Sequence, residues 1–210
     1  MNQRSRNRLD DLVSPIIAYT DLLFGMILIL AFVISVLNVG WGDLEYESKQ
    51  QRVRFAVESA LPTAMRPREL AARGKNDPPG VQRWVFTAEQ LFGDGETEVS
   101  PQGEDALKRF ARVLREVGEW RRIRVEGHVS SRSGTNGDPW EESAALASKV
   151  VHVLQGAGCI EPWYLAIAGR ADQDRINPVD ASSPENERVE LLLEYSYGPP
   201  YEPGGRLCAD

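Results

Sequence analysis

The run from Ile16 to Val39 holds only two ionisable side chains, Tyr19 and Asp21, and it constrains the chain more than any other feature. As a helix rising about 1.5 Å per residue it reaches about 36 Å, enough to cross a hydrocarbon core of about 30 Å. Arg4, Arg6 and Arg8 precede it, and Asp43, Glu45 and Glu47 follow just beyond Trp41. Positive residues stay on the cytoplasmic side and Trp favours the interface. The N-terminus is therefore expected in the cytoplasm and the bulk of the chain outside the inner membrane. The run is too long for a cleaved signal peptide, and neither an A-x-A site nor a lipoprotein cysteine follows it. An uncleaved single-pass anchor is expected.

Asp21 stands one to two turns into this run. A charged side chain costs about 2.5–3.5 kcal/mol at the centre of a spanning helix and less near its ends. Two readings follow. Asp21 either sits near the inner headgroups or caps the helix start after Pro15, or it faces protein and carries an ion. At helical spacing Phe24, Gly25, Leu28 and Phe32 share its face, and Gly25 lets a second helix approach closely. One charge falling through 100 mV releases about 2.3 kcal/mol, which can drive work. Thr20 is either a helper in that transfer or an ordinary helix hydroxyl.

Beyond the anchor the chain turns polar. Its net charge of -7 argues against a nucleic-acid partner, which selects basic surfaces. We divide the sequence into a cytoplasmic N-terminus (1–15), the membrane helix (16–39), a linker (40–80), a globular domain (81–198) and a tail (199–210). In the linker, Val53, Ala56, Val57, Ala60 and Leu61 recur at helical spacing and predict a short amphipathic helix ending at Pro62. It serves as a spacer, a dimer contact or a plug against a membrane partner. The proline-rich stretch after it predicts little regular structure beyond a turn or two of helix in RPRELAAR.

The domain alternates strands and helices. Strands are predicted at 82–87, in RIRVEGHV, in WYLAIAGR and in ERVELLLEY. One helix runs from Ser100 as N-cap to Gly118, and a second opens with Asp138 as N-cap and Pro139 behind it. This β-α-β-α-β-β order predicts an α+β fold, with two helices on a small mixed sheet. The loops Ser130–Gly137 and Ala171–Glu185 are long and polar, so a ligand groove is expected there. Cys159 and Cys208 are the only cysteines, and outside the inner membrane they are available for a disulfide. Neither they nor His128 and His152 have metal-ligand spacing, so no metal or other cofactor is expected. Ser130 and Ser131 lie near His128, but no acid orients that histidine in sequence, so no enzyme activity is expected.

Four segments carry a resemblance: VEGHVSS (Val125–Ser131), SAALASKVVHVLQGAG (Ser143–Gly158), LAIAGR (Leu165–Arg170) and NERVELLL (Asn186–Leu193). They resemble the OmpA-like peptidoglycan-binding domain, whose members show Gly-His-Thr-Asp, Leu-Ser-x-x-Arg-Ala and Asn-Arg-Arg-Val-Glu. Gly127, His128, Ser143, Ala147, Asn186, Arg188, Val189 and Glu190 match. The family's Asp falls at Ser130 and its helix Arg at Leu146. That pair normally grips the diaminopimelate end of the stem peptide, and its loss removes the charge-assisted bonds that give specificity. His128, Ser130, Asn186 and Arg188 remain as peptidoglycan candidates. Asn186 and Arg188 are equally readable as supports for the last strand.

Tyr19-x-Asp21 opening the membrane helix is similar to the MotB type of stator subunit. The whole layout resembles the B subunit of an ion-driven rotary motor. The short linker is closer to the ZorB type of the Zorya anti-phage system than to flagellar stators. The resemblance implies a homodimer inside a pentameric, multi-span A subunit (MotA/ZorA-like), with Asp21 passing H+ or Na+ and the outer domain held at the cell wall. A flagellar stator subunit and a passive peptidoglycan tether are the alternatives.

Overall fold

The computed structural model describes residues 3–70, 77, 78, 80–93, 98–131, 137–195 and 201, with the side chains of 3–16, 18 and 37–45 left aside. The chain forms two compact units, residues 1–45 and 46–210. Helix α1 (Gln3–Ala60) contributes to both. In the first unit its stretch Tyr19–Val36 is long and apolar enough to cross a membrane. The side chains of Leu22, Phe24, Ile29 and Phe32 are exposed there.

The second unit is an α+β domain. Its five strands are β1 (Arg68–Leu70), β2 (Gln82–Thr87), β3 (Arg122–His128), β4 (Leu165–Gly169) and β5 (Arg188–Glu194). They form one mixed sheet in the order β1-β2-β5-β3-β4, with only β3 and β4 parallel. β5 lies at the centre and all seven of its residues are buried, which accounts for the near-continuous apolar run LLL. Helices α2 (Ala88–Phe92), α3 (Pro101–Val117) and α4 (Pro139–Gln155) complete the unit.

Capping fixes both long helices. The Ser100 hydroxyl accepts from Gly103 N with Pro101 at the first position, and the Asp138 carboxylate accepts from Trp140 N with Pro139 behind it. Alternation along the strands sends Trp84, Phe86, Ile123, Val125, Val189, Leu191 and Leu193 to one face. There they pack with Leu107, Phe110 and Leu114 of α3 and Ala147, Val150 and Leu154 of α4. Phe110 meets Trp84 and Phe86 edge to face, both at 5.7 Å between ring centres.

Three features depart from the sequence reading. The amphipathic stretch before Pro62 is no spacer: Val53 and Val57 are completely buried and Leu61 nearly so, and all three join the domain core. A stripe that finds an apolar face in its own chain buries it there. Within RPRELAAR, Arg68–Leu70 form the edge strand β1 rather than a helical turn, because β2 offers them a free edge, with Glu69 opposite Trp84; residues 71–73 lie outside the described residues. Helix α2, capped by a reciprocal Thr87–Gln90 box, also went unforeseen. The region before β2 is further fixed by Gly80, whose φ is +76°. A Cβ there would lie 2.7 Å from the Tyr46 ring.

Candidate functional site

In the first unit Tyr19, Thr20 and Asp21 are all exposed. The Thr20 hydroxyl donates to the Ile17 carbonyl at 2.7 Å, so its hydrogen is satisfied inside the helix. Among the described residues of the apolar stretch Tyr19–Val36, Asp21 is the only charged one.

The second candidate site is the sheet face turned away from the helices, with the loop that returns over it. Alternation puts Arg83 of β2, Arg124, Glu126 and His128 of β3, and Arg188 and Glu190 of β5 on that face. Glu190 is completely buried, Glu126 and His128 are 1% exposed and Arg188 2%. Buried charge survives only when paired and hydrogen-bonded. The pairing is dense. Arg188 Nε donates to Glu190 at 2.6 Å, and Arg83 pairs with the other oxygen of Glu190. Arg170 grips Glu126 with two bonds, at 3.0 and 2.9 Å. Arg124 lies 3.1 Å from Glu126, and Asp77 bridges Arg124 and Arg83 at 2.9 and 2.5 Å.

His128 Nδ1 sits 3.3 Å from the Gln173 carbonyl, a geometry for an N–H donor. Its Nε2 then faces Glu190 at 3.6 Å, too far for a hydrogen bond. Burial, with Arg188 close by, lowers the His128 pKa to about 3, so the ring is neutral. Burial also lowers the Arg188 pKa, and the hydrogen bond to Glu126 raises that of Arg170. Glu126, His128 and Glu190 bring ligand atoms within 4.8 Å of one another, a spacing that cysteine and histidine positions in the sequence do not reveal. Arginines hold both carboxylates, however, so the set is built as an ion-pair lattice and not as a cation cage.

The four residues singled out for peptidoglycan divide unevenly. Asn186 is 1% exposed. Its side-chain oxygen accepts from Asn177 N at 2.9 Å and its amide donates to the Asp180 carbonyl at 2.8 Å, so it organises the loop 177–186. Arg188 Nη1 and Nη2 donate to the Asn186 and Asp174 carbonyls, at 3.1 and 2.7 Å. His128, Asn186 and Arg188 are thus buried and bonded within the domain. Ser130 alone is half-exposed, 3.4 Å from Glu187. Leu146 packs against the core. Asp172 and Arg175, not singled out in the sequence, frame the same loop with Ser131: the Ser131 hydroxyl donates to Asp172 at 2.6 Å, and Arg175 donates to Asp172 at 2.8 Å. The Ser131 hydrogen bond, followed by Arg175, lowers the Asp172 pKa. Cys159 carries a disulfide, while Cys208 lies outside the described residues, as do residues 132–136 of the first predicted loop.

Residues 91–190 match the OmpA family. Comparison with curated proteins returns no match. Among solved structures, a protein described as MotB-like from Desulfovibrio vulgaris is 23% identical with a TM-score of 0.59, covering 75% of this chain and 95% of its own. The periplasmic domain of Helicobacter pylori MotB is 18% identical with a TM-score of 0.51, covering 62% and 88%. The cell wall anchor of the type VI secretion system (T6SS) from Pseudomonas aeruginosa is 20% identical with a TM-score of 0.52, covering 68% and 96%. Residues 91–190 are thus an OmpA-like domain, with the fold of MotB periplasmic domains, in a chain that also carries an apolar N-terminal helix.

Proposed function

We propose that this chain is the B subunit of an inner-membrane, ion-driven rotary motor. The carrying observation is a lone carboxylate, Asp21, in an apolar helix of spanning length, on a chain whose second unit is an OmpA-like domain. A membrane carboxylate without a function is a cost with no return. In this reading α1 crosses the membrane with its N-terminus in the cytoplasm. Two copies pair through their periplasmic domains inside a ring of multi-span A subunits. Asp21 accepts H+ or Na+ from outside and releases it inward, stepping the ring around the fixed dimer. Tyr19 flanks the path, and Thr20 adds a hydroxyl oxygen. The protein does no covalent chemistry. We assign the motor to anti-phage defence of the Zorya type, as a ZorB-like subunit, because little chain separates the spanning stretch from the domain: packing resumes at Tyr46.

Replacing Asp21 with Asn tests the reading in cells that carry the chain with its membrane partner. Loss of phage protection with normal membrane insertion supports a defence motor. Loss of swimming instead points to a flagellar stator, and no loss of either to a passive tether.

Wall attachment is the second part. With Ser130 and Leu146 in place of the family's charge pair, and with His128, Asn186 and Arg188 buried, we propose that any wall contact uses the exposed loop around Ser130 and Asp172. Sedimentation with purified sacculi tests this. Weak binding that rises in a Ser130→Asp, Leu146→Arg double variant identifies the loop as the contact, and tight binding unaffected by both changes places the contact elsewhere.

A further inference from the structure

The ion pairs under the sheet form a chain of links, not a scatter. Asp77, between β1 and β2, binds Arg83 and Arg124. Arg83 binds Glu190, and Arg124 lies against Glu126. Glu190 holds Arg188 and Glu126 holds Arg170. Arg188 then donates to the Asp174 carbonyl at 2.7 Å, and His128 bonds the Gln173 carbonyl. Ala171 and Asp174, in this receiving loop, have positive φ values of 51° and 56°. Non-glycine residues in that region persist only where their surroundings hold them. At the opposite end, three residues past Asp77, Gly80 seats the Tyr46 ring, and Gln50 of α1 donates to the Gly80 carbonyl at 3.2 Å.

We propose that this buried ladder couples the Asp77–Gln82 segment, which seats α1, to the 170–187 loop, so that ordering either end stabilises the other. Each carboxylate in the ladder is shared by two arginines, so removing one charge leaves each of its partners with one counter-charge fewer and shifts the load to the next link, where dielectric screening is weak. The disturbance passes along the links instead of relaxing in water. If the motor reading holds, the ladder gives wall contact at the loop a route to the helix that leads to Asp21. The coupling itself does not depend on that reading.

Hydrogen exchange on the full chain in detergent micelles, followed by mass spectrometry, is the test. Asp77→Asn is expected to speed exchange in 170–187 about 3- to 10-fold, with α3 unchanged. Arg170→Gln, from the other end, is expected to speed exchange at 77–83 by a similar factor. Arg109→Gln, in an exposed pair with Asp105, is the control and is expected to change neither. Should Asp77→Asn unfold the domain, Arg170→Gln still decides, since its side chain is one-third exposed. Changes confined to 77–83 in the first variant and to 168–175 in the second would overturn the proposal. Ion-flow assays play no part in the readout, so this result and the motor hypothesis can fail separately.

Discussion

Arg188 and Glu190 stand two positions apart on β5 and meet at 2.6 Å, with the carboxylate completely buried and the guanidinium nearly so. The pair is structural: all three Arg188 nitrogens bond within the domain, Nε to Glu190 and the other two to the Asn186 and Asp174 carbonyls. Arg188→Ala is expected to cost about 3–5 kcal/mol, because Glu190 loses one of its two arginines inside the protein. Urea unfolding followed by the fluorescence of the buried Trp84 and Trp120 measures it. A loss below about 1 kcal/mol, the range of exposed pairs, would mean the pair is solvated.

The neutral, buried His128 makes the domain sensitive to acid. An unfolded histidine titrates near 6.5, and the folded one is lowered to about 3. Above pH 6.5 neither state binds the proton. Between these values only the unfolded chain does, so stability is lost as the pH drops, by up to about 1.4 kcal/mol per unit. Denaturation midpoints measured from pH 7 down to about 5.5, above the range where ordinary carboxylates titrate, should fall in the native chain. The fall should be much shallower in His128→Gln. Parallel curves would count against a buried neutral ring.

Residues 53–61 belong to the domain. Val57→Ala is expected to destabilise it by about 2 kcal/mol through lost burial and the cavity left behind. Phe55, on the other side of the same turn, is 61% exposed. Phe55→Ala should change stability by about 0.5 kcal/mol or less. Equal effects in a thermal melt would return this stretch to the role of spacer.

Gly127 sets how closely α4 approaches the sheet. A Cβ there would lie 1.9 Å from the Ser143 carbonyl oxygen and 3.2 Å from Ala147 N. Backbone cannot give way as a side chain can, so Gly127→Ala is expected to cost about 3 kcal/mol or more. Increased proteolysis within α4 should report it, and an unchanged cleavage pattern would contradict the close approach.

The long periodic elements were legible in the sequence because local rules decide them. Ser100-Pro101 and Asp138-Pro139 write their own helix starts, and the stripe through Leu107, Phe110 and Leu114 has one face to bury. β1 was not legible: three residues make a strand only because β2 leaves an edge beside them. The roles of His128, Asn186 and Arg188 were half legible. Sequence marks them as polar residues beside a loop, but burial and partner count separate a ligand contact from a loop support. Those depend on Gln173, Asn177, Asp180 and Glu190, none of which is local to His128. Asp77 carried no signal at all, since its partners Arg83 and Arg124 lie on two different strands.

The central claim is that Asp21 passes an ion. Vesicles holding the chain with its multi-span partner, loaded with a pH dye or a sodium dye and given a membrane potential, measure this directly. We predict uptake of one of the two ions with the native chain and none with Asp21→Asn, at equal protein content. Equal uptake by both, or none by either under conditions where the complex is intact, would contradict the account.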